Sequence, residues 1–144
     1  MIKNNLQKKR FLFIVNTDKF LLSHRNEIAK ELLQNNFEVH LAARLSKASK
    51  ILKSNGIKTH LIKIDRTSIG FFNLFKSIIS IYKIIKKIKP DIVHFVSIKP
   101  VILGCIACKF ISHKMSIFVS ITGLGYIFID KSFFGILKKI ITCQ

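Results

Sequence analysis

Short apolar runs alternate along this chain with longer stretches in which apolar residues return every three or four positions. The first pattern marks buried strands and the second marks helices packed on one face. RFLFIV, residues 10–15, is a compact apolar run that ends in Asn16, Thr17 and Asp18 and predicts a buried strand. SHRNEIAKELLQNN, residues 23–36, predicts a helix, with Ser23 as a candidate N-cap, Ile28, Leu32 and Leu33 at helical spacing, and a stop at Asn35 and Asn36. FEVHLAAR, residues 37–44, predicts a second strand, SKASKILKSNG a short helix closed by Gly56, and KTHLIKI, residues 58–64, a third strand. Residues 70–90 predict a long helix, with apolar side chains at 71, 75, 78, 82 and 85 and again at 74, 78, 81, 85 and 88, ended by Pro90. DIVHFV, residues 91–96, is a fourth strand, followed by PVILGCIACKFI as a helix with Pro100 in its first turn. SIFVSIT, residues 116–122, is a fifth strand, and KSFFGILKKII a last basic helix.

Five strands alternating with helices predict the α/β class: a single Rossmann-like, doubly wound parallel sheet, with right-handed crossovers placing helices on both faces. In such a sheet a ligand meets the carboxyl ends of the strands where the strand order reverses, here between the first and fourth strands. That assigns NTDKFLLS, residues 16–23, and SIKP, residues 97–100, to one crevice.

The 144 residues suit one domain spanning 1–144, and 49% hydrophobic residues exclude a disordered chain. The formal charge of +18 favours polyanions and anionic membrane surfaces as partners. Joint enrichment in Ile, Lys, Phe and Asn is also what compositional drift of the coding DNA produces. No nucleic-acid reader motif accompanies the charge, so specific nucleic-acid binding is not expected. Three cysteines and no secretory leader suit a reducing compartment, the cytoplasm by default. The longest uncharged run, residues 115–129, has 15 residues and two glycines, short of the roughly 20 that a membrane-spanning helix needs, so none is predicted.

Candidate chemistry gathers at the crevice. His94 lies on an apolar strand near its end, where it serves either as a ligand contact or as a satisfied core histidine. Ser97 and Lys99 precede a helix N-terminus whose free N–H groups suit an anion, although Lys99 in water and Pro100 as a helix starter is an equally simple arrangement. Asp18, Ser23, His24 and Arg25 stand where the first strand turns into its helix, with capping and solvation as the plain alternatives for Ser23 and Arg25. No glycine occurs in residues 16–23, so the loop is neither a dinucleotide fingerprint nor a phosphate loop. TGLGYIF, residues 122–128, carries Gly123 and Gly125 and marks either a close-approach loop or a plain turn. Cys105 and Cys108 form C-x-x-C inside a helix, where packing explains them better than redox chemistry or a metal; His40, His60 and His113 read as structural or exposed. The 70–89 helix combines a broad apolar face with five lysines, which suits either sheet packing or an anionic membrane.

FLFIVNTDKFLLSHRNEIAKELLQNNFEVHLAAR, KPDIVHFVSIKPVILGCIA and ITGLGYIF together resemble the N-terminal, acceptor-side domain of bacterial family-four glycosyltransferases, which have the two-domain GT-B architecture. The resemblance covers nearly the whole chain and implies one Rossmann-like half of a GT-B fold. It implies transfer of a hexosyl group, with retention of configuration, from a nucleotide-sugar donor, typically a UDP-sugar. The implied acceptor is a saccharide on polyprenyl diphosphate, in surface polysaccharide or lipopolysaccharide synthesis at the inner face of the cytoplasmic membrane. No metal and no further cofactor is implied. Carried over by position, His94 touches the transferred sugar, Asn16, Thr17 and Asp18 border the interdomain cleft, and Gly123 to Tyr126, with Gly125 between them, line the acceptor side.

In that family a C-terminal domain binds the nucleotide and holds the departing diphosphate, and no such domain is seen within residues 1–144. Since stabilisation of developing charge is the largest expected catalytic contribution, the chain alone is expected to have little or no transferase activity. The alternative expectation is a non-catalytic module that binds a membrane surface or another subunit through its basic helices.

Overall fold

The structure is a computed structural model and describes residues 8–62, 64 and 71–121. Arg10–Thr17 forms strand β1 and is followed by helices α1 (Asp18–His24) and α2 (Asn26–Gln34), strand β2 (Glu38–Arg44), helix α3 (Ala48–Ser54) and strand β3 (Lys58–Leu61). Helix α4 (Phe71–Ile88), strand β4 (Ile92–Val96), helix α5 (Ile98–Cys108) and strand β5 (Ser116–Ser120) complete the described fold. The sheet runs β3-β2-β1-β4-β5 with every pairing parallel. This is the Rossmann-like, doubly wound arrangement that the alternation predicts.

Both faces of the sheet are covered, which is why β1 is buried at every position from Phe11 to Val15 instead of alternating. Leu12, Ile14, Ala42, Val93 and Phe95 face α4 and α5, where Ile81, Ile85, Val101 and Leu103 meet them. Phe11, Phe13, Val15, Val39 and Leu41 face the other way, onto Leu21 of α1, Ala29 of α2 and Leu52 of α3. Each fully buried side chain of this size contributes roughly 1.5–3 kcal/mol relative to exposure, so the two half-cores dominate the stability of the fold.

Two local expectations are corrected. Residues 18–23 are not loop, because helix α1 starts at Asp18 directly after β1 and seats Leu21 in the second half-core with no exposed surface. Ser23 therefore lies within α1 and does not cap the helix that follows, whose N-cap is Arg25; its hydroxyl donates to the Lys19 carbonyl at 2.9 Å. The helix breaks at Arg25 (φ −133°) and restarts as α2. Strand β3 ends at Leu61, although Ile62 and Ile64 beyond it remain buried. The ends of α2, α3 and α4 are followed by left-handed residues, Asn36, Gly56 and Lys89, of which only Gly56 (φ 88°) takes the conformation without a side-chain penalty. The helix expected at 131–141 lies outside the described residues.

On the neighbouring strands β2 and β3, His40 and His60 are joined to each other. His40 Nδ1 and His60 Nε2 are 2.9 Å apart, and His40 Nε2 is 2.9 Å from Glu38 Oε1, which also accepts from Lys58 Nζ at 2.6 Å. The Lys58 hydrogen bond lowers the pKa of Glu38, so its carboxylate acts as an acceptor and His40 Nε2–H donates to it. With His40 neutral, its Nδ1 accepts from His60 Nε2–H.

Candidate functional site

The crevice forms where β1 and β4 lie side by side in the sheet. The chain leaves β1 for α1 on one face and leaves β4 for α5 on the opposite face, which makes this the topological switch point.

His94 is the third of the five β4 residues and not its last, so it sits deeper than the sequence suggests. It pairs in register with Phe13, and its ring packs 5.6 Å from the Phe13 ring and 6.3 Å, edge-on, from that of Phe11. Both phenylalanines belong to the half-core under α1 and α2, so the imidazole lies on that face and is partly buried. Its Nε2 is 2.8 Å from Ser120 Oγ, near the end of β5. Burial, and after it the charge of Arg25, pushes the His94 pKa below the ordinary imidazole value, so the ring is neutral at pH 7 and able to exchange a proton or accept one.

Ser97 follows β4 with φ 78° and ψ 154°, a conformation almost reserved for glycine. Its N–H donates to the Ser120 carbonyl at 2.8 Å, and its carbonyl accepts from Val101 N–H at 3.1 Å. The sheet edge and the first turn of α5 thus hold this strained residue in place. Ser97 and His94 both reach Ser120, one through the backbone and one through the side chain.

Asp18 is corrected from a ligand contact to an internal anchor. It is fully buried, and its carboxylate accepts from Ser46 N–H at 2.6 Å, Ser46 Oγ at 2.8 Å and its neighbour's Lys19 N–H at 2.8 Å. A carboxylate so engaged ties the end of β1 to the β2–α3 turn and leaves no face for a ligand. Asn16 and Thr17 end β1 in partly buried positions, and Asn16 Oδ1 is sealed from solvent without a hydrogen bond. His24 is exposed on the last turn of α1, stacked on Phe20 at 4.5 Å and bonded through Nδ1 to Ser23 Oγ at 2.6 Å.

Lys99 belongs to the other side of the sheet. With Leu74, Phe75, Ile78, Ile102, Leu103 and Ile106 it lines a groove of about 360 Å³ between α4 and α5, whose other lining side chains are all apolar. Lys99 and His94 therefore open onto different faces. Gly123, Gly125 and Tyr126 lie outside the described residues. Ser120, Ser46 and the contribution of Arg25 to His94 escape sequence reading because each acts across the sheet or between loops. The one local signal was Arg25 beside His24 at the strand-to-helix turn.

Cys105 and Cys108 pack from α5 against the core, and burial raises both thiols, Cys108 to about 12, which leaves them inert at neutral pH. Among the described residues no group of three or more His, Cys, Asp or Glu is placed to hold a metal ion, and no helix is long and apolar enough to cross a membrane.

A search of curated proteins finds no match. Among solved structures, the chain is similar to MurG of Acinetobacter baumannii, with TM-score 0.60 and 20% identity over 77% of this chain and 33% of that one. A glycosyltransferase from Rickettsia africae ESF-5 gives TM-score 0.59 and 19% identity over 77% and 29%. A UDP-N-acetylglucosamine 2-epimerase gives 0.56 and 14% over 78% and 33%. At these identities the likeness is one of fold, a Rossmann-like half of the GT-B type, and the chain spans about a third of the length of each of these proteins. Residues 10–143 match the glycosyl transferase 4-like family as a whole, and the chain belongs to that family.

Proposed function

We propose that this chain is the N-terminal, acceptor-side domain of a glycosyltransferase that moves a sugar from a nucleotide-sugar, a UDP-sugar, to a saccharide carried on a polyprenyl diphosphate. The observation that carries this reading is His94. It is a neutral, partly buried imidazole at the switch point of a family member's sheet, held by Ser120 and flanked by the strained Ser97. In this reading the imidazole faces the transferred sugar, where a neutral ring exchanges hydrogen bonds with a hydroxyl without adding charge. A donor-binding domain closes the crevice from the opposite side and supplies the positive groups that stabilise the departing diphosphate.

The same reading places the chain peripherally at the inner face of the cytoplasmic membrane. Phe72 and Phe75 on α4 are 80% and 56% exposed, next to Lys76 and beside the apolar groove that Lys99 borders. Apolar side chains beside cations suit the headgroup boundary of an anionic bilayer.

The test combines this chain with a donor-binding domain, a radiolabelled UDP-sugar and polyprenyl-diphosphate-linked saccharide in vesicles. Label should enter the lipid fraction, and His94→Ala should reduce that transfer about a hundredfold or more. Transfer that His94→Ala leaves intact would remove His94 from the reaction. A second reading, a non-catalytic membrane-surface or subunit-binding module, is favoured by Phe72 and Phe75 alone; it requires salt-sensitive flotation with anionic vesicles and no sugar transfer in any reconstituted pair.

A further inference from the structure

His94 stands in the middle of β4, yet a ligand in a sheet of this kind meets the carboxyl ends of the strands. Its register partner on β5 is Phe118, but its ring reaches Ser120, two positions further along and on the same face. The 2.8 Å bond between His94 Nε2 and Ser120 Oγ therefore draws the imidazole diagonally toward the carboxyl ends, where the crevice opens. Toward β1 the ring meets only the Phe13 and Phe11 rings, at 5.6 and 6.3 Å, which pack against it without fixing either nitrogen. Ser120 is itself held in place, because β5 is paired with β4 along its length and the Ser120 carbonyl accepts from Ser97 N–H at 2.8 Å.

The neutral imidazole carries one N–H, so Nε2 either donates to the serine oxygen or accepts from its hydroxyl. Among the described residues His94 Nδ1 has no hydrogen-bond partner. If Nε2 accepted, the ring proton would sit on Nδ1, fixed in direction on a partly buried ring and with no acceptor there. If Nε2–H donates, the donor left over is the serine hydroxyl, which rotates and, on a partly exposed residue, can turn to water. An unmet N–H is costlier than an unmet acceptor, so donation from Nε2 is the favoured arrangement.

We infer that Ser120 is the positioning residue for His94: its oxygen takes Nε2–H, tilts the ring toward the crevice and leaves the Nδ1 lone pair as the acceptor for a sugar hydroxyl. The inference rests on the glycosyltransferase reading only for the identity of that hydroxyl; the tautomer and the tilt are properties of the chain alone. Ser120 acts through His94 and is not asked to touch the substrate.

The experiment has two arms. Nitrogen-15 NMR of the labelled chain at about pH 8, without ligand, reads which ring nitrogen of His94 carries the proton in the unaltered protein, in Ser120→Ala, in Ser120→Thr and in Ser116→Ala, a control on the same strand. The unaltered chain and Ser116→Ala should be protonated at Nε2, Ser120→Thr should keep that state because it retains a hydroxyl, and Ser120→Ala should give a mixture of tautomers. In the second arm the chain is combined with a donor-binding domain, a radiolabelled UDP-sugar and polyprenyl-diphosphate-linked saccharide. Ser120→Ala should lower kcat about tenfold with little change in KM, and Ser120→Thr should recover most of the loss. Adding Ser120→Ala to His94→Ala should cost nothing further, an outcome that a merely structural serine would not give. A proton on Nδ1 in the unaltered chain, or a Ser120→Ala spectrum equal to the unaltered one, would overturn the inference. So would a further loss of transfer in the double variant, because Ser120 would then act apart from His94. Tautomers as expected, with no transfer in any reconstituted pair, would leave the positioning of His94 standing and remove the glycosyltransferase reading.

Discussion

Gly104 lies in the middle of α5, where replacement by alanine would ordinarily stabilise a helix by about 1 kcal/mol. Here the opposite is expected. A Cβ at this position would sit 2.5 Å from Phe95 Cζ and closer still to Cδ1 and Cε1 of the same ring. The ring has no room to withdraw, because Phe95 is fully buried in the half-core with Ile81, Ile85, Val101 and Leu103. Overpacking of a closed core costs about 1–3 kcal/mol, and contact this close belongs at the upper end. Set against the helical gain, Gly104→Ala should lose about 2 kcal/mol net, or roughly 4–8 °C in Tm for a domain of this size. Urea unfolding followed by circular dichroism should show a lower midpoint at an unchanged slope. Phe95→Leu opens space at the contact, so the double variant should lose less than the sum of the two single losses. A Gly104→Ala protein as stable as the original would show that α5 and β4 can separate freely, and the close packing that positions His94 and Ser97 would then have to be abandoned.

Three other outcomes follow from the same coordinates. Burial lowers the pKa of His40, His60 and His94 in the folded chain, so the unfolded state binds more protons at mildly acid pH; stability should be full above about pH 6.5 and fall as pH drops below it, and His40→Ala with His60→Ala should flatten that slope in urea midpoints taken from pH 8 to 5. Ser97→Gly should relieve the positive φ and raise stability by about 1–2 kcal/mol in thermal unfolding, whereas Ser97→Ala should bring no such gain. Asp18→Ala should cost about 2–4 kcal/mol, because it removes all three hydrogen bonds that the buried carboxylate accepts, while Ser46→Ala should cost about 1 kcal/mol, since the backbone bond to Asp18 survives; equal losses in urea unfolding would contradict this division.

The association of strain and polarity at one edge of the sheet gives the candidate site its character. Strands β2 and β3 carry a hydrogen-bonded chain of His60, His40, Glu38 and Lys58. The carboxyl edge holds Ser97 in a costly backbone conformation and Asn16, whose Oδ1 is buried without a hydrogen bond.

The amino-acid order by itself determined what depends on neighbours along the chain. The compact runs at Phe11 to Val15 and Ile92 to Val96 and the spaced apolar positions of α4 are local patterns, and their alternation leaves a parallel, doubly wound sheet as the simple way to cover both faces. Family membership was legible for the same reason, since its segments are contiguous. Tertiary structure alone decided the pairings that give each polar residue its task. Asp18 meets Ser46 across 28 positions and becomes an anchor, His94 meets Ser120 across 26, and Lys99 turns to the α4–α5 groove instead of joining His94. Whether residues 18–23 were loop or helix was likewise settled by the demand of the sheet for Leu21. A side chain's periodicity is set by its backbone neighbours, but its burial, its partner and its charge state are set by whatever the folded sheet brings against it.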